Sequence, residues 1–310
     1  MASAARAIVS GSRSGETLAL DASVISRVKP VCDFVNAEAS RLRNHVIAIG
    51  VMSAVGAVVL PLLTGIGDPR IPLVLAAGAV AFTFVKARAE FTRNCAKVAI
   101  KRIVAALSRQ LTYKPSSSLT QQQFVAMDLF PGRVERLRSR DEISGRDIGA
   151  ASKYSLHHVV AGGADRRAVV FDGVIAKIDF PEPFPGHTIV IPDTRNEDGG
   201  VGPGTRVKKD LVFLKNPAFE ERFSVYASDY YDARRLLTPK LMEVIMDSAT
   251  LIGAEVRLAF VQRSLFVTVP GEALKVDTGL FAAELTPKDA VGRLLHILGF
   301  AERLARAVAR

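Results

Sequence analysis

Forty consecutive positions, residues 46–85, carry only two charges, Asp68 and Arg70, and that run constrains the chain more than any other feature. Residues 46–66 are uncharged; as an α-helix they rise ~31 Å at ~1.5 Å per residue, enough to cross a hydrocarbon slab of ~30 Å. After the turn Gly67-Asp68-Pro69-Arg70, residues 71–85 are again uncharged but reach only ~22 Å as a helix. Lys86 and Arg88 can extend this second run by laying their methylene stems along the apolar zone, with local bilayer thinning absorbing the remainder. The expectation is a two-helix transmembrane hairpin over 46–85. Small residues (Gly50, Ser53, Ala54, Gly56 and Ala57, with Ala76, Ala77, Gly78 and Ala79) would permit close contact within the hairpin or between chains.

Charge sets the expected orientation. The turn holds one Arg, whereas Arg41 and Arg43 precede the hairpin and Lys86, Arg88, Arg93, Lys97, Lys101 and Arg102 follow it. Both flanks are therefore expected in the cytosol, giving a multi-pass protein of the cell inner membrane with both termini cytoplasmic. No secretory leader is expected, because some 45 polar-to-mixed residues precede the first apolar run. Of the net charge of +10, residues 86–114 contribute +7 and residues 115–310 only +1. Such localisation argues against a diffuse nucleic-acid-binding surface, so no nucleic-acid partner is expected.

Four segments follow from this pattern: an N-terminal cytosolic, partly helical segment (1–45), the hairpin (46–85), a basic juxtamembrane helix (86–114) and a cytosolic domain (115–310). In the third, Ile100, Ile103, Val104, Leu107 and Leu111 form an apolar stripe at helical spacing. Lys86, Arg93, Lys97 and Lys101 fall in one sector, where each could gain ~1 kcal/mol near anionic lipid headgroups. The plainer reading makes them a topology signal only.

Lys114-Pro115-Ser116-Ser117-Ser118 reads as a linker, since Pro stops a helix and serines favour turns. Thr120 with Gln123 has the form of a capping box and should start a short helix through Met127. From residue 154 the texture becomes short β-branched and aromatic runs: 154–161, 168–180, 187–191, 211–214, 223–227, 255–261 and 265–269 are expected strands, separated by turn-formers as in an antiparallel sheet. Thr238-Pro239 and Thr286-Pro287 each mark a helix start. The fold class expected is α+β, a transmembrane helical hairpin continuing into a basic helix and then a mainly antiparallel β domain with a few helices.

Little chemistry is visible. Cys32 and Cys95 are far apart and form neither a disulfide framework nor a metal motif. His157 and His158 are adjacent on an expected strand, so their side chains point to opposite faces and cannot grip one metal ion. His45, His187 and His296 stand singly and read as surface or interfacial. The glycine-rich stretch 199–205 is followed by Arg206-Val207-Lys208-Lys209 rather than by the Gly-Lys-Ser/Thr that opens a phosphate-binding helix, so it reads as a connection. No cofactor is implied.

Several strings resemble one bacterial family, the domain of unknown function 3137 family. They are Val170-Phe171-Asp172-Gly173 with Asp179-Phe180, then residues 184–193 (FPGHTIVIPD), and above all residues 219–242 (FEERFSVYASDYYDARRLLTPKLM). The apolar segments, Tyr113-Lys114-Pro115 and Ser144-Gly145 also fit, so the resemblance spans roughly 40–280. It implies a membrane-anchored protein with a cytosolic domain and no assigned activity or cofactor. The chain departs from the family pattern at Leu156 and Asp172, where the family tends to show an acid and an Arg. Within the longest string, Ser228-Asp229 would cap a turn at Asp232-Ala233-Arg234-Arg235, and Leu236-Leu237 would pin it. A ligand site at Asp232, Arg234 and Arg235 is the other reading.

The functional expectation is a non-enzymatic, membrane-tethered binding or scaffold module, with membrane lipid as partner and a membrane protein or a second copy as further candidates. The alternatives are a membrane-bound, perhaps hydrolytic, enzyme using Asp179, Asp193 or Asp229 near strand ends, and an accessory subunit of a transporter or envelope complex.

Overall fold

The structure, a computed structural model, describes residues 22–64, 70–91, 97–108, 110–147, 152–163, 168–193, 207–271 and 284–308. The chain divides into two compact units; among the described residues, one is helical (22–108 with 284–292) and the other is built on a sheet (110–271 with 293–308).

In the helical unit, α1 (Ala22–Thr64) is one continuous helix of 43 residues, followed by α2 (Arg70–Glu90) and α3 (Lys97–Leu107). The N-terminal part of α1 buries Val24, Val28, Val31 and Val35, the three- and four-residue steps of one helix face. On α3 the same spacing buries Ala99, Ile103, Val104 and Leu107, and Arg102 lies 4.9 Å over the ring of Phe34. Asn36 donates from Nδ2 to the carbonyl of Leu285 (3.1 Å) and accepts its N–H (2.8 Å). Beyond residue 46 the pattern inverts. Ile47, Val51, Met52, Val55 and Val58 of α1 are exposed, as are Leu73, Val74, Leu75, Phe82 and Val85 of α2. A Cβ added to Gly50 would sit 4.0 Å from a methyl of Val80, so the two helices touch where α1 has no side chain.

Among the described residues one helical stretch, Ala22–Val59, is long and apolar enough to cross a membrane. This corrects the sequence expectation: among the described residues neither a hairpin of two transmembrane helices nor a multi-pass topology with both termini cytoplasmic is found. The reason is length, since the fifteen uncharged residues of α2 reach only ~22 Å against a slab of ~30 Å.

The sheet unit holds β1 (Thr112–Ser116), α4 (Gln121–Met127), β2 (Arg136–Asp147), β3 (Ser152–Gly162), β4 (Val169–Asp179), β5 (His187–Pro192), β6 (Asp210–Val212), α5 (Pro217–Glu220), β7 (Phe223–Ala227), α6 (Tyr230–Leu236), α7 (Pro239–Ile252), β8 (Arg257–Val261), β9 (Ser264–Pro270) and, from Arg293 on, α8 (Pro287–Val308). All described pairings are antiparallel, and the strand order is β1-β2-β3-β4-β9-β8-β5-β7-β6. An α+β fold with a mainly antiparallel sheet is thus present. Local chemistry starts its helices where the sequence indicates: Thr120 and Gln123 form a reciprocal capping box on α4, and Thr238 caps α7 ahead of Pro239.

One sheet face carries Val159, Ala161, Phe171, Ile175, Ile189, Ala259 and Phe266 and is closed by Leu119, Phe124, Met127 and Leu129 on and around α4. On the other face, Tyr154 donates its hydroxyl to Glu302 of α8 (3.3 Å), and Arg303 of α8 donates to Ser248 of α7 (2.9 Å). Tyr154 lies over Gly145 of β2, where an added Cβ would come within 2.5 Å of its hydroxyl; only glycine fits beneath that ring.

Two strands depart from expectation. Lys114-Pro115 is not a linker but part of edge strand β1, in which Thr112, Tyr113, Lys114 and Ser116 pair with β2 while Pro115, which has no N–H to give, does not. Strand β2 itself is rich in Arg, Ser and acidic residues rather than β-branched ones; pairing on both sides, not propensity, makes it a strand.

Candidate functional site

The register of β2 against β3 shifts between Arg140 and Ile143, so that Asp141 and Glu142 together oppose His157. Asp141 takes a positive φ of 55° to make this bulge, which aims Glu142 toward the imidazole. His157 is fully buried. Its Nδ1 lies 2.7 Å from Ser117 Oγ and 3.9 Å from Glu142 Oε2, and its Nε2 lies 2.8 Å from Ser155 Oγ. Ser139 donates to Ser117, and Glu142 accepts the N–H of Ser118 at 2.8 Å. Burial, helped by the Lys177 charge, lowers the His157 pKa to about 4, so the ring is neutral at pH 7 despite the opposing pull of Glu142 and Asp179. Burial alone would raise the Glu142 pKa, but hydrogen bonds from Ser118 and the nearby His157 leave it lowered. The cluster has a hydroxyl on each imidazole nitrogen, as a proton relay would, yet the ring has no exposed surface. What it does in this geometry is tie residues 117–119 to the sheet.

A second polar cluster fixes the end of α4. Asp128, in left-handed conformation (φ 52°), caps the helix. Its carboxylate accepts from the Lys209 ammonium and from the Val207 N–H, and both side chains of the ion pair are almost wholly buried. His187 Nε2 lies 3.1 Å from the carbonyl of Met127, and Arg257 donates to that of Leu129 (3.2 Å) while stacking 5.2 Å over the Phe130 ring. His187 is therefore buried and structural, not superficial as its isolated position suggests. Beside it lies a shallow depression lined by Phe124, Val125, Asp128, Leu129, Phe130, Gly132 and Val134. Its one charged lining residue, Asp128, is already paired.

The structure does not bring the candidate carboxylates together. Asp179 accepts from Lys177 and Ser264, Asp193 from Ser224, and Asp229 caps α6 through the N–H of Asp232. Asp193 and Asp229 lie past opposite ends of the paired strands β5 and β7, ~24 Å apart at ~3.4 Å per residue; Asp179 is four strand spacings, ~19 Å, from Asp229. Among the described residues no group of three or more His, Cys, Asp and Glu is placed to hold a metal ion.

Asp232 and Arg235 lie on α6, and Arg234, on the same helix, stacks 5.4 Å over the Tyr230 ring and donates to its hydroxyl (3.1 Å). Buried Phe219, Phe223, Val225, Ala233 and Leu237 account for the apolar half of that string, whereas Tyr231 stands 77% exposed beside Tyr230, whose hydroxyl reaches the carbonyl of exposed Phe213 (3.4 Å). Lys86, Lys97 and Lys101 are exposed on α2 and α3. Arg93, Cys95 and the stretch 199–205 lie outside the described residues. Sequence reading passed over the row Arg136, Arg138 and Arg140, which β2 places on one side of the strand. The signal was the strict alternation with Leu137 and Ser139.

Residues 169–305, from β4 to near the end of α8, match the family described as Protein of unknown function (DUF3137). A DUF3137 domain is present. The chain matches no curated protein and no solved structure. The DUF3137 match includes the strings at 170–173, 184–193 and 219–242; Tyr113-Lys114-Pro115, Ser144-Gly145 and the apolar helices lie outside it, as does His157. Leu156 pairs with Ala176 and Asp172 with Val160. An acid and an Arg at those two positions would stand four residues apart along the ladder, ~13 Å, too far to pair.

Proposed function

We propose that this protein is a non-enzymatic binding or scaffold module held at a lipid surface by α1, with the sheet unit, including its DUF3137 domain, working in water. The observation that carries the reading is the exposure of α1: in its most apolar stretch only 6% is buried. Valine, isoleucine and methionine side chains left in water at every turn forfeit about 25 cal/mol per Å² that lipid would supply. Lys86, Lys97 and Lys101, all exposed, suit contacts with lipid headgroups, each adding ~1 kcal/mol near an anionic surface; Arg93 would extend the same ridge in sequence. For the binding role, support comes from exposed Phe213, Tyr230 and Tyr231 beside Arg234, the residue types that dominate protein interfaces.

The test is extraction of the full-length chain from membranes with high-pH carbonate followed by flotation. Retention in the floating fraction is expected; release into the supernatant would remove the anchor and with it the reading.

A further inference from the structure

The row on β2 holds three guanidinium groups at alternate positions, ~7 Å apart along the strand. Arg136 pairs in register with Gly162, Arg138 with Val160 and Arg140 with His158, and the next strand adds Val169 opposite Gly162 and Asp172 opposite Val160. All three arginines are exposed, and Val169 is 64% exposed. Like charges at this spacing repel, and a surface that needed only solubility would alternate signs. Arg140 is held by Asp141 (3.6 Å) and donates from Nε to His158 Nδ1 (3.2 Å); Asp141 also accepts from the Tyr113 hydroxyl (2.7 Å), Asp172 lies 3.8 Å from His158, and Glu135 lies 3.8 Å from Arg133. Arg138 has no side-chain partner among the described residues.

Resting on the lipid-surface reading above, we infer that this face of β2 and β3 is a second membrane contact, one that docks the sheet unit on anionic lipid headgroups through Arg136, Arg138 and Arg140. Charge complementarity selects the occupant. A guanidinium fork meets a phosphate oxygen pair bidentately, which an ammonium cannot do. The flanking valine, set in the same register as the arginines, suits the boundary between headgroup and acyl chain. Single-stranded nucleic acid would want aromatic platforms between the cations, and the register partners on this face are Gly162, Val160, His158, Val169 and Asp172.

The experiment uses the full chain reconstituted in nanodiscs of zwitterionic phosphatidylcholine, or of the same lipid mixed with phosphatidylglycerol. An arginine-selective dicarbonyl reagent is applied and the modified sites are read by mass spectrometry. Arg138 should react at least about fivefold more slowly in the anionic discs, the factor matching ~1 kcal/mol per charge at such a surface, and raised salt should restore its rate. Arg235, exposed on α6, should react equally in both. Equal rates at Arg138 in the two lipids, or equal slowing at Arg235, would overturn the inference. So would protection of Arg138 in neutral discs by soluble glycerol phosphate or by an RNA oligonucleotide, which would put a discrete anion site or a nucleic acid in place of the bilayer. A chain that fails to enter nanodiscs defeats the anchor reading and this one together; a chain that enters them with Arg138 unprotected defeats this one alone.

Discussion

The two units use the same apolar residue types in opposite directions. In the sheet unit, Ile175, Ile189, Val267 and Leu258 are sealed between strands and helices, whereas in the helical unit Val51, Val55, Leu73 and Val74 face outward. Composition does not separate these cases; the surroundings that each set requires do. An interior that excludes water must pair every charge it admits, as Asp128 and Lys209 are paired. A helix that meets lipid needs no partner for its methyl groups, only the length to reach across.

The sharpest way to break this comparison lies in that buried pair. Asp128→Asn should destabilise the sheet unit by ~3–5 kcal/mol, because it strands the Lys209 charge in an apolar interior while keeping a residue that tolerates the left-handed backbone. Urea unfolding followed by circular dichroism would measure it, and a loss under ~1 kcal/mol would mean that the pair is wetter than the structure makes it.

Next in size is the response to acid. His157 titrates near 6.5 when unfolded and at about 4 when folded, so below pH ~6.5 the unfolded chain takes up a proton that the native one refuses. Stability from this group is complete above that pH and is lost as pH falls toward ~4, up to ~3 kcal/mol in all. His187, whose pKa is lowered by burial and by the Lys209 charge, acts with the same sign. A urea midpoint at pH 5 equal to that at pH 7 would contradict both assignments.

Gly145→Ala should cost about 1–3 kcal/mol by displacing the Tyr154 ring and its bond to Glu302. Tyr231→Ala should change stability by less than ~0.5 kcal/mol, its ring being exposed. A larger loss there would show that the aromatic patch is part of the fold and would remove it from the binding surface.

How legible these features were in the sequence follows the range of the forces that make them. Strands β3 to β9 and the caps of α4 and α7 are written in neighbouring residues, as β-branched alternation or as Thr-Pro and Thr-x-x-Gln. Strand β2 was not, because its Arg, Ser and acidic residues fit a sheet only once β1 and β3 flank them. The buried pair joins positions 128 and 209, and the histidine cluster joins 117, 142 and 157; no local pattern announces such a meeting. The Arg row was legible as an alternation but was hidden by counting net charge over the whole segment 115–310. The apolar helices were visible as apolar, and their number of crossings was overstated because fifteen residues were allowed to do the work of twenty.

The central claim, that the outward methyl groups of α1 lie in lipid, can be tested with a single tryptophan, since the chain has none. Val55→Trp reconstituted in vesicles whose acyl chains carry bromine should be strongly quenched relative to unbrominated lipid, while Tyr231→Trp on the sheet unit should not. Fluorescence from position 55 that is as indifferent to bromine as that from position 231 would place α1 outside the hydrocarbon and contradict the account.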